Sequence, residues 1–227
     1  MFYKIVKRLF DLFCAFLGII ITSPAWLIAI IGIEISDPGG IFYFARRSGK
    51  NGKVFIMFKF RSMRKSKNAD EKNFKPDAAR IFPFGRFMRA TKIDELPQLL
   101  NVLIGNMSIV GPRPASVDQL TVTRGGKYAA CARLTPGLTS PSALYDYIYG
   151  DTVEDNEQYK ELVLPTRLNL DLWYTDHAGI GTDMRMIHYT IICVLASVFH
   201  TKTPEKILIK LTGLVEKRKT YEEAANV

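Results

Sequence analysis

Residues 12–33 carry no charge, and only Thr22, Ser23 and Pro24 break the apolar pattern of "LGIIITSPAWLIAIIGI". An uncharged run of about 18 or more residues predicts a membrane helix. Pro24 removes a backbone donor and clashes with the carbonyl four residues earlier, that of Ile20. In hydrocarbon that carbonyl needs another partner, and the Ser23 hydroxyl is placed to bond back to the preceding turn. The proline divides the run into arms of roughly 18 and 14 Å, each about half the depth of a hydrocarbon core. Lys4, Lys7 and Arg8 precede the run, and six further bases follow between Arg46 and Arg61. The positive-inside tendency draws both flanks to the cytoplasm. The pattern therefore predicts a re-entrant helix with its membrane break at Ser23 and Pro24. A kinked, spanning helix is the alternative. The run is too long for a signal-peptide core and ends in no clean cleavage site, so it is expected to be retained.

Beyond the run, "SDPGG" reads as a turn, and Asn51-Gly52 predicts a hairpin turn entering a strand over residues 54–63. In "KFRSM", Lys59, Arg61 and Met63 then share one strand face, opposite Phe58 and Phe60. Residues 64–75 are polar and predict a surface loop. "ARIFPFGRFMRATK" interleaves aromatics and bases, as a helix at a headgroup interface does, or a helix packing its apolar side on the core. In "DELPQLLNVLIGNMSIVGPRP", Pro97 suits a first helical turn, Leu96, Leu99, Leu100 and Leu103 share a face, and Gly105 ends the helix. "PGLTSPSALYDYIYGD" reads as irregular. Residues 154–174 and 183–199 predict two helices. "TPEKILIKLTGLVEK" predicts an amphipathic C-terminal helix with a surface for a membrane or for self-association. The fold class is α/β, mostly helical with a small hairpin or sheet. Its parts are a membrane helix over residues 1–36, a cytosolic catalytic domain over 37–201 and a C-terminal amphipathic helix and tail over 202–227.

Charge sharpens this picture. Residues 1–113 hold 19 Lys and Arg against 8 Asp and Glu, while residues 114–227 hold 12 against 14. The basic half is the membrane half, which suits anionic headgroups, phosphorylated substrates or nucleic acid. Cys14, Cys131 and Cys193 are too few and too widely spaced for a disulfide framework, as in a reducing compartment. Mean hydropathy near zero predicts a water-folded body with membrane-seeking segments added.

Asp94-Glu95 is the chief chemical candidate. Acidic residues often decorate helix starts for stability alone, and there the helix dipole keeps them ionised. Here, however, Arg86, Arg89 and Lys92 precede the pair and Arg113 follows between two prolines. Carboxylates among bases suit phosphoryl chemistry with Mg²⁺, in which Asp94 and Glu95 share the cation with substrate phosphates. Lys59 and Arg61 add a candidate anion site. The three histidines have no ligand spacing, and no Walker, dinucleotide or nucleophile-elbow pattern occurs. Bases and aromatics in "FKFRSM" weakly suggest a membrane-tethered nucleic-acid module, but no complete motif follows, so nucleic acid is not an expected partner.

"RRSGKNGKVFIMFKFRSM", "DELPQLLNVLIGNMSIVGPRP", "PGLT" and "LDLWYTD" together resemble the bacterial sugar transferases, or monotopic phosphoglycosyl transferases, from about residue 4 to 199. The resemblance implies transfer of a sugar 1-phosphate from a UDP-sugar to a polyprenol phosphate such as undecaprenyl phosphate. The reaction belongs to the cytoplasmic face of the bacterial inner membrane and begins surface glycan assembly. It implies Asp94 as nucleophile of a covalent phosphosugar intermediate, with Glu95 holding Mg²⁺ or the acceptor. Arg89 and Arg113 match family arginines near the phosphates and the nucleotide, and Lys7 and Arg8 are expected at the lipid headgroups. The chain departs from the family pattern at Ala45 and in "SPSALYDY" after "PGLT". A non-catalytic scaffold of a glycan assembly complex is the remaining alternative, against which the intact Asp94-Glu95 pair stands.

Overall fold

The computed structural model describes residues 2–65, 77–149, 155–199, 201 and 212. The apolar run forms one helix, α1, over Phe2–Ser36, and it stays helical through Pro24 where two separate arms were predicted. The reason is local. The Ser23 hydroxyl donates to the Ile20 carbonyl (2.8 Å), the acceptor that the proline leaves unpaired, and Thr22 donates to Gly18 (2.7 Å). With its orphan acceptor satisfied, the helix tolerates the proline without a break.

α1 touches the rest of the protein along its whole length. Asp11 accepts from the Ile109 amide, Gly18 lies against Leu99, Trp26 sits edge-on to Phe60 and Phe84 packs on Gly32. Just past the helix end, Asp37 pairs with Arg61. Ala15 of α1 joins a larger core with Leu99, Val102, Met107 and Tyr174, while Ala29 and Ile33 join a smaller one with Phe60, Phe82 and Met88.

Strands β1 (Phe42–Ser48) and β2 (Val54–Phe60) form the predicted hairpin, pairing Phe42 with Phe60 through Ser48 with Val54. Asn51 and Gly52 occupy the left-handed region that such a turn favours. β2 stops three residues short of the prediction. After Phe60 the Arg61 amide donates to Ile41, its guanidinium is captured by Asp37, and Met63 makes only a single bridge to Ile81. The predicted alternation of Lys59, Arg61 and Met63 therefore fails at Arg61, which is buried.

Helix α2 (Pro83–Thr91) carries the mixed aromatic-basic stretch. It buries Met88 and leaves Phe87 half-exposed, so one face serves the core. A 3-10 turn over Ile93–Glu95 leads to α3 (Gln98–Ile104), which ends at left-handed Gly105 as expected. β3 (Ser108–Val110) follows, then β4 (Ala115–Ser116), which extends the hairpin sheet in the order β2-β1-β4, and the short α4 (Leu120–Thr123).

β5 (Gly137–Thr139) pairs parallel with β3. The segment read as irregular holds helix α5 (Pro141–Tyr149). Its start signal is Ser140, whose hydroxyl accepts from the Ala143 amide, followed by proline in the first turn. The helix predicted over 154–174 is α6 (Asn156–Gln158), a π-turn (Tyr159–Val163) and α7 (Leu164–His177) in succession. α8 spans Ile180–Val198. All three cysteines are free. The predicted C-terminal helix and most of the 64–75 loop lie outside the described residues.

Candidate active site

α2 ends where Lys92 adopts a left-handed conformation (φ 58°), which reverses the chain into the 3-10 turn that carries both carboxylates. The two side chains meet opposite environments. Asp94 is 4% exposed, and its Oδ1 is the one buried side-chain oxygen or nitrogen without a hydrogen-bond partner among the described residues. Burial pushes its carboxyl above the usual aspartate range, against the pull of Lys59, Arg89 and Lys92. The expectation of two readily ionised carboxylates is thus corrected at Asp94, which the 3-10 turn buries. Glu95 differs. Burial raises it, but Lys59, whose Nζ donates to Oε1 at 2.9 Å, and Arg113, at 4.0 Å, outweigh burial and hold it well below the glutamate range.

Arg113 is aimed by backbone that two glycines make possible. Gly111 of "VGPRP" and Gly137 of "PGLT" lie back to back: the Gly137 amide donates to Pro112 (2.9 Å) and the Gly111 amide to Thr139 (3.0 Å). A Cβ on Gly137 would stand 2.1 Å from the Gly111 nitrogen, so neither motif tolerates a side chain there. The Arg113 amide donates to Asp171 (3.2 Å), and Arg124 donates to the Arg113 carbonyl (2.6 Å).

Its side chain bridges Glu95 and Asp146 of α5, with Nε 3.8 Å from Asp146 Oδ2. Arg167 of α7 holds that same oxygen at 3.4 Å and donates to the Tyr159 hydroxyl. Tyr159 and Arg167 are eight residues apart, a spacing that a regular helix would rotate apart by about 80°. The extra residue taken up by the π-turn brings them onto one face. Tyr147, also on α5, lies 4.8 Å beneath the Lys92 ammonium.

Asp94, Glu95, Arg113, Arg124, Arg167 and Asp171 line a cleft of about 750 Å³. Among the described residues ten cationic side chains line it against four carboxylates, Asp94 and Glu95 among them, so it attracts a polyanion of substrate size. Lys59, Arg89 and Arg113 open onto it. Arg61 reaches the cleft too, but its guanidinium is taken up by Asp37. Lys7 and Arg8 lie elsewhere: Lys7 pairs with Asp183 (2.8 Å), and Arg8 caps α3 by donating to the Val102 and Leu103 carbonyls. Ser23 and Pro24 belong to α1 and do not line the cleft.

Asp146, Arg124, Arg167 and Asp171 escaped the sequence reading. For Asp146 the Ser140-Pro141 helix start was the available signal; the partners of the others are distant in sequence. The donor set fits a Mg²⁺ ion only with help. Asp94 offers an unpartnered oxygen beside Glu95, but no group of three or more His, Cys, Asp or Glu side chains occurs among the described residues. Phosphate oxygens of a bound substrate would complete the shell.

Known proteins resemble this chain over most of its length. Residues 2–197 match the family described as bacterial sugar transferase. The chain is 35% identical over 92% of its length to the uncharacterised sugar transferase EpsL of Bacillus subtilis, covering 96% of that protein. It is 35% identical to the exopolysaccharide production protein ExoY of Rhizobium meliloti, over 84% of this chain and 86% of that one. It is also 33% identical to a UDP-glucose:undecaprenyl-phosphate glucose-1-phosphate transferase of Xanthomonas campestris, over 86% of this chain but only 40% of that larger protein.

Proposed function

We propose that this chain, which belongs to the bacterial sugar transferase family, moves a sugar 1-phosphate from a UDP-sugar to undecaprenyl phosphate through an intermediate on Asp94. The observation that carries this reading is the buried, unpartnered Asp94 oxygen in a cleft lined by cations. A desolvated carboxylate oxygen with no donor to blunt it suits nucleophilic attack. In the first step an Asp94 oxygen bonds to the sugar-bearing phosphorus, and the bond from that phosphorus to the bridging oxygen breaks, releasing UMP. In the second, a phosphate oxygen of the lipid attacks the same phosphorus and the Asp94–phosphorus bond breaks. Glu95, kept ionised by Lys59 and Arg113, fixes these two bases around the reacting phosphate. Arg89 and Arg113 stabilise the charge that develops on transferred and leaving groups. Mg²⁺, held by Asp94, Glu95 and substrate phosphates, would add to that charge neutralisation when bound.

The membrane arrangement is part of the same proposal. α1 is long and apolar enough to cross a bilayer. Its start, through Lys7 and Asp183, and its end, through Asp37 and Arg61, are nevertheless both tied to the one body. A spanning helix would place those charged ties on opposite sides of about 30 Å of hydrocarbon. Both ends of α1 therefore stay on the same face, which for a UDP-sugar enzyme is the cytoplasmic face of the inner membrane, where the first step of surface glycan assembly takes place.

The test is UMP release by detergent-purified protein with undecaprenyl phosphate, Mg²⁺ and a panel of UDP-sugars. Multiple turnovers that require one sugar and the lipid, with a single stoichiometric burst of UMP when the lipid is omitted, support the two-step reaction. Undiminished release by Asp94→Asn defeats the intermediate, and no release with any nucleotide sugar favours the scaffold.

A further inference from the structure

The sheet has two unlike faces. One, carrying Ala45, Met57 and Lys59, turns to the core and the cleft. The other is covered at one end only, where Trp26 of α1 lies edge-on to Phe60, with ring centres 5.3 Å apart. From Phe60 the rings continue outward. Phe42 stacks on Phe60 at 5.4 Å, Phe44 follows Phe42 at 6.3 Å, and Phe58 meets Phe44 edge-on at 5.7 Å. Past α1 the described residues leave this face open at Phe44 (59% exposed), Ile56 (43%) and Val54 (48%), while Ser48 beside the turn is buried. A contiguous apolar patch of this kind marks an interaction surface.

We propose that the open face of the β1–β2 hairpin is a second membrane contact, entering the same bilayer as α1 and binding anionic headgroups at its basic tip. Two observations choose the bilayer as the occupant. The aromatic row starts on Trp26, two residues beyond Pro24, so the patch and the apolar surface of α1 are continuous. Polarity also rises with distance from α1: Phe42 and Phe44 come first, then Arg46 across from Ile56, then Lys50 and Lys53 at the turn, all exposed. That order matches a hairpin passing from acyl chains up to phosphates. Residues 41–61 contain no acidic side chain. A second copy docking by the same face would set like charges against each other. In function, the contact would fix the tilt of the cleft, since Lys59 lies on the opposite face of the same strand.

This inference rests on the membrane reading of α1, and the experiment separates the two. Nitroxide labels are placed singly at Phe44→Cys, Ile56→Cys, Ile28→Cys and Glu157→Cys in the full chain with Cys14→Ser, the remaining thiols being buried. Ile28 is exposed on α1 and Glu157 is exposed on α6. In phosphatidylethanolamine–phosphatidylglycerol nanodiscs, collisions with oxygen report lipid and collisions with a water-soluble nickel chelate report solvent. The expected result is an oxygen-to-nickel ratio at Phe44 and Ile56 several-fold above that at Glu157 and close to that at Ile28. A solvent ratio at Phe44 and Ile56 with a lipid ratio at Ile28 overturns the hairpin contact and leaves the anchor standing. A solvent ratio at Ile28 as well overturns both. Exclusion of both reagents with spin–spin broadening between copies assigns the face to a second chain and overturns the proposal.

Discussion

Two buried aspartates divide the labour of this molecule. Asp183, at the start of α8, is saturated: Tyr174 donates to one oxygen (2.6 Å), and Tyr3 (3.0 Å) and Lys7 (2.8 Å) donate to the other. Asp94, in the cleft, is equally buried and has an oxygen that no hydrogen-bond donor among the described residues meets. The first arrangement repays the desolvation of the charge with partners and locks the start of α1 to the body. The second leaves part of that cost standing, which a folded protein tolerates where an incoming group will use the free valence. Saturation marks a joint, and an unpaired oxygen marks a site.

The sharpest way to break this contrast is to remove both charges in turn. Asp94→Asn is expected to lower turnover by about 10⁴-fold or more, the scale of losing a nucleophile, with the protein still folded by circular dichroism. Its wild-type counterpart should lose activity on acidification at a pH above the ordinary aspartate range of about 4, because burial raises the carboxyl that must be ionised to attack. Asp183→Asn is expected to do the reverse. It strands Lys7 among buried groups and should cost about 3 kcal/mol of stability in chemical denaturation. Activity per folded molecule should stay near that of the wild type. A stable Asp183→Asn protein with a crippled rate would show that the joint takes part in the chemistry.

The contrast was only half legible in the sequence. Asp94-Glu95 stood out because its neighbours in the chain are bases, and Ser23 could be matched to Ile20 because three residues separate them. The Asn51-Gly52 turn and the end of α3 at Gly105 were readable for the same reason, since each depends on local backbone preference. Asp183 drew no notice because its partners Tyr3 and Lys7 lie more than 170 residues away. Arg61 was read as a site residue by strand alternation, but Asp37 ends the strand and claims it. Lys7 and Arg8 looked like headgroup contacts and instead hold α8 and α3. α5 was hidden by the prolines, glycine and serines before it, although Ser140-Pro141 is a helix start once the turn residues are read in order. Local pattern identifies elements and unusual neighbours; it is silent on which distant charge will pair.

Asp146 tests the middle ground, a carboxylate that is paired yet stands beside the chemistry. It holds Arg113 against Glu95, and Arg167 holds it in turn. Asp146→Asn loosens Arg113 while leaving Asp94 in place, so turnover should fall by about tenfold, the loss of roughly 1.4 kcal/mol of positioning. Substrate affinity should change less than kcat, since nine other cationic side chains among the described residues still line the cleft. An equal effect on KM alone would make Arg113 a general anion contact with no special aim.

The smallest effect is the most diagnostic. Because burial raises the Asp94 carboxyl, the folded chain holds that proton more tightly than the unfolded chain does. Between the unfolded value near 4 and the raised folded value, stability therefore falls as pH rises. Asp94→Asn removes the charge at nearly constant shape, so it should raise Tm at pH 7 relative to the wild type. The gain should vanish below about pH 4, where the wild-type side chain is also neutral. Parallel melts of the two proteins in the same detergent at both pH values measure this directly. An Asp94→Asn protein that melts below wild type at pH 7 would place Asp94 with Asp183, as a carboxylate the fold depends on.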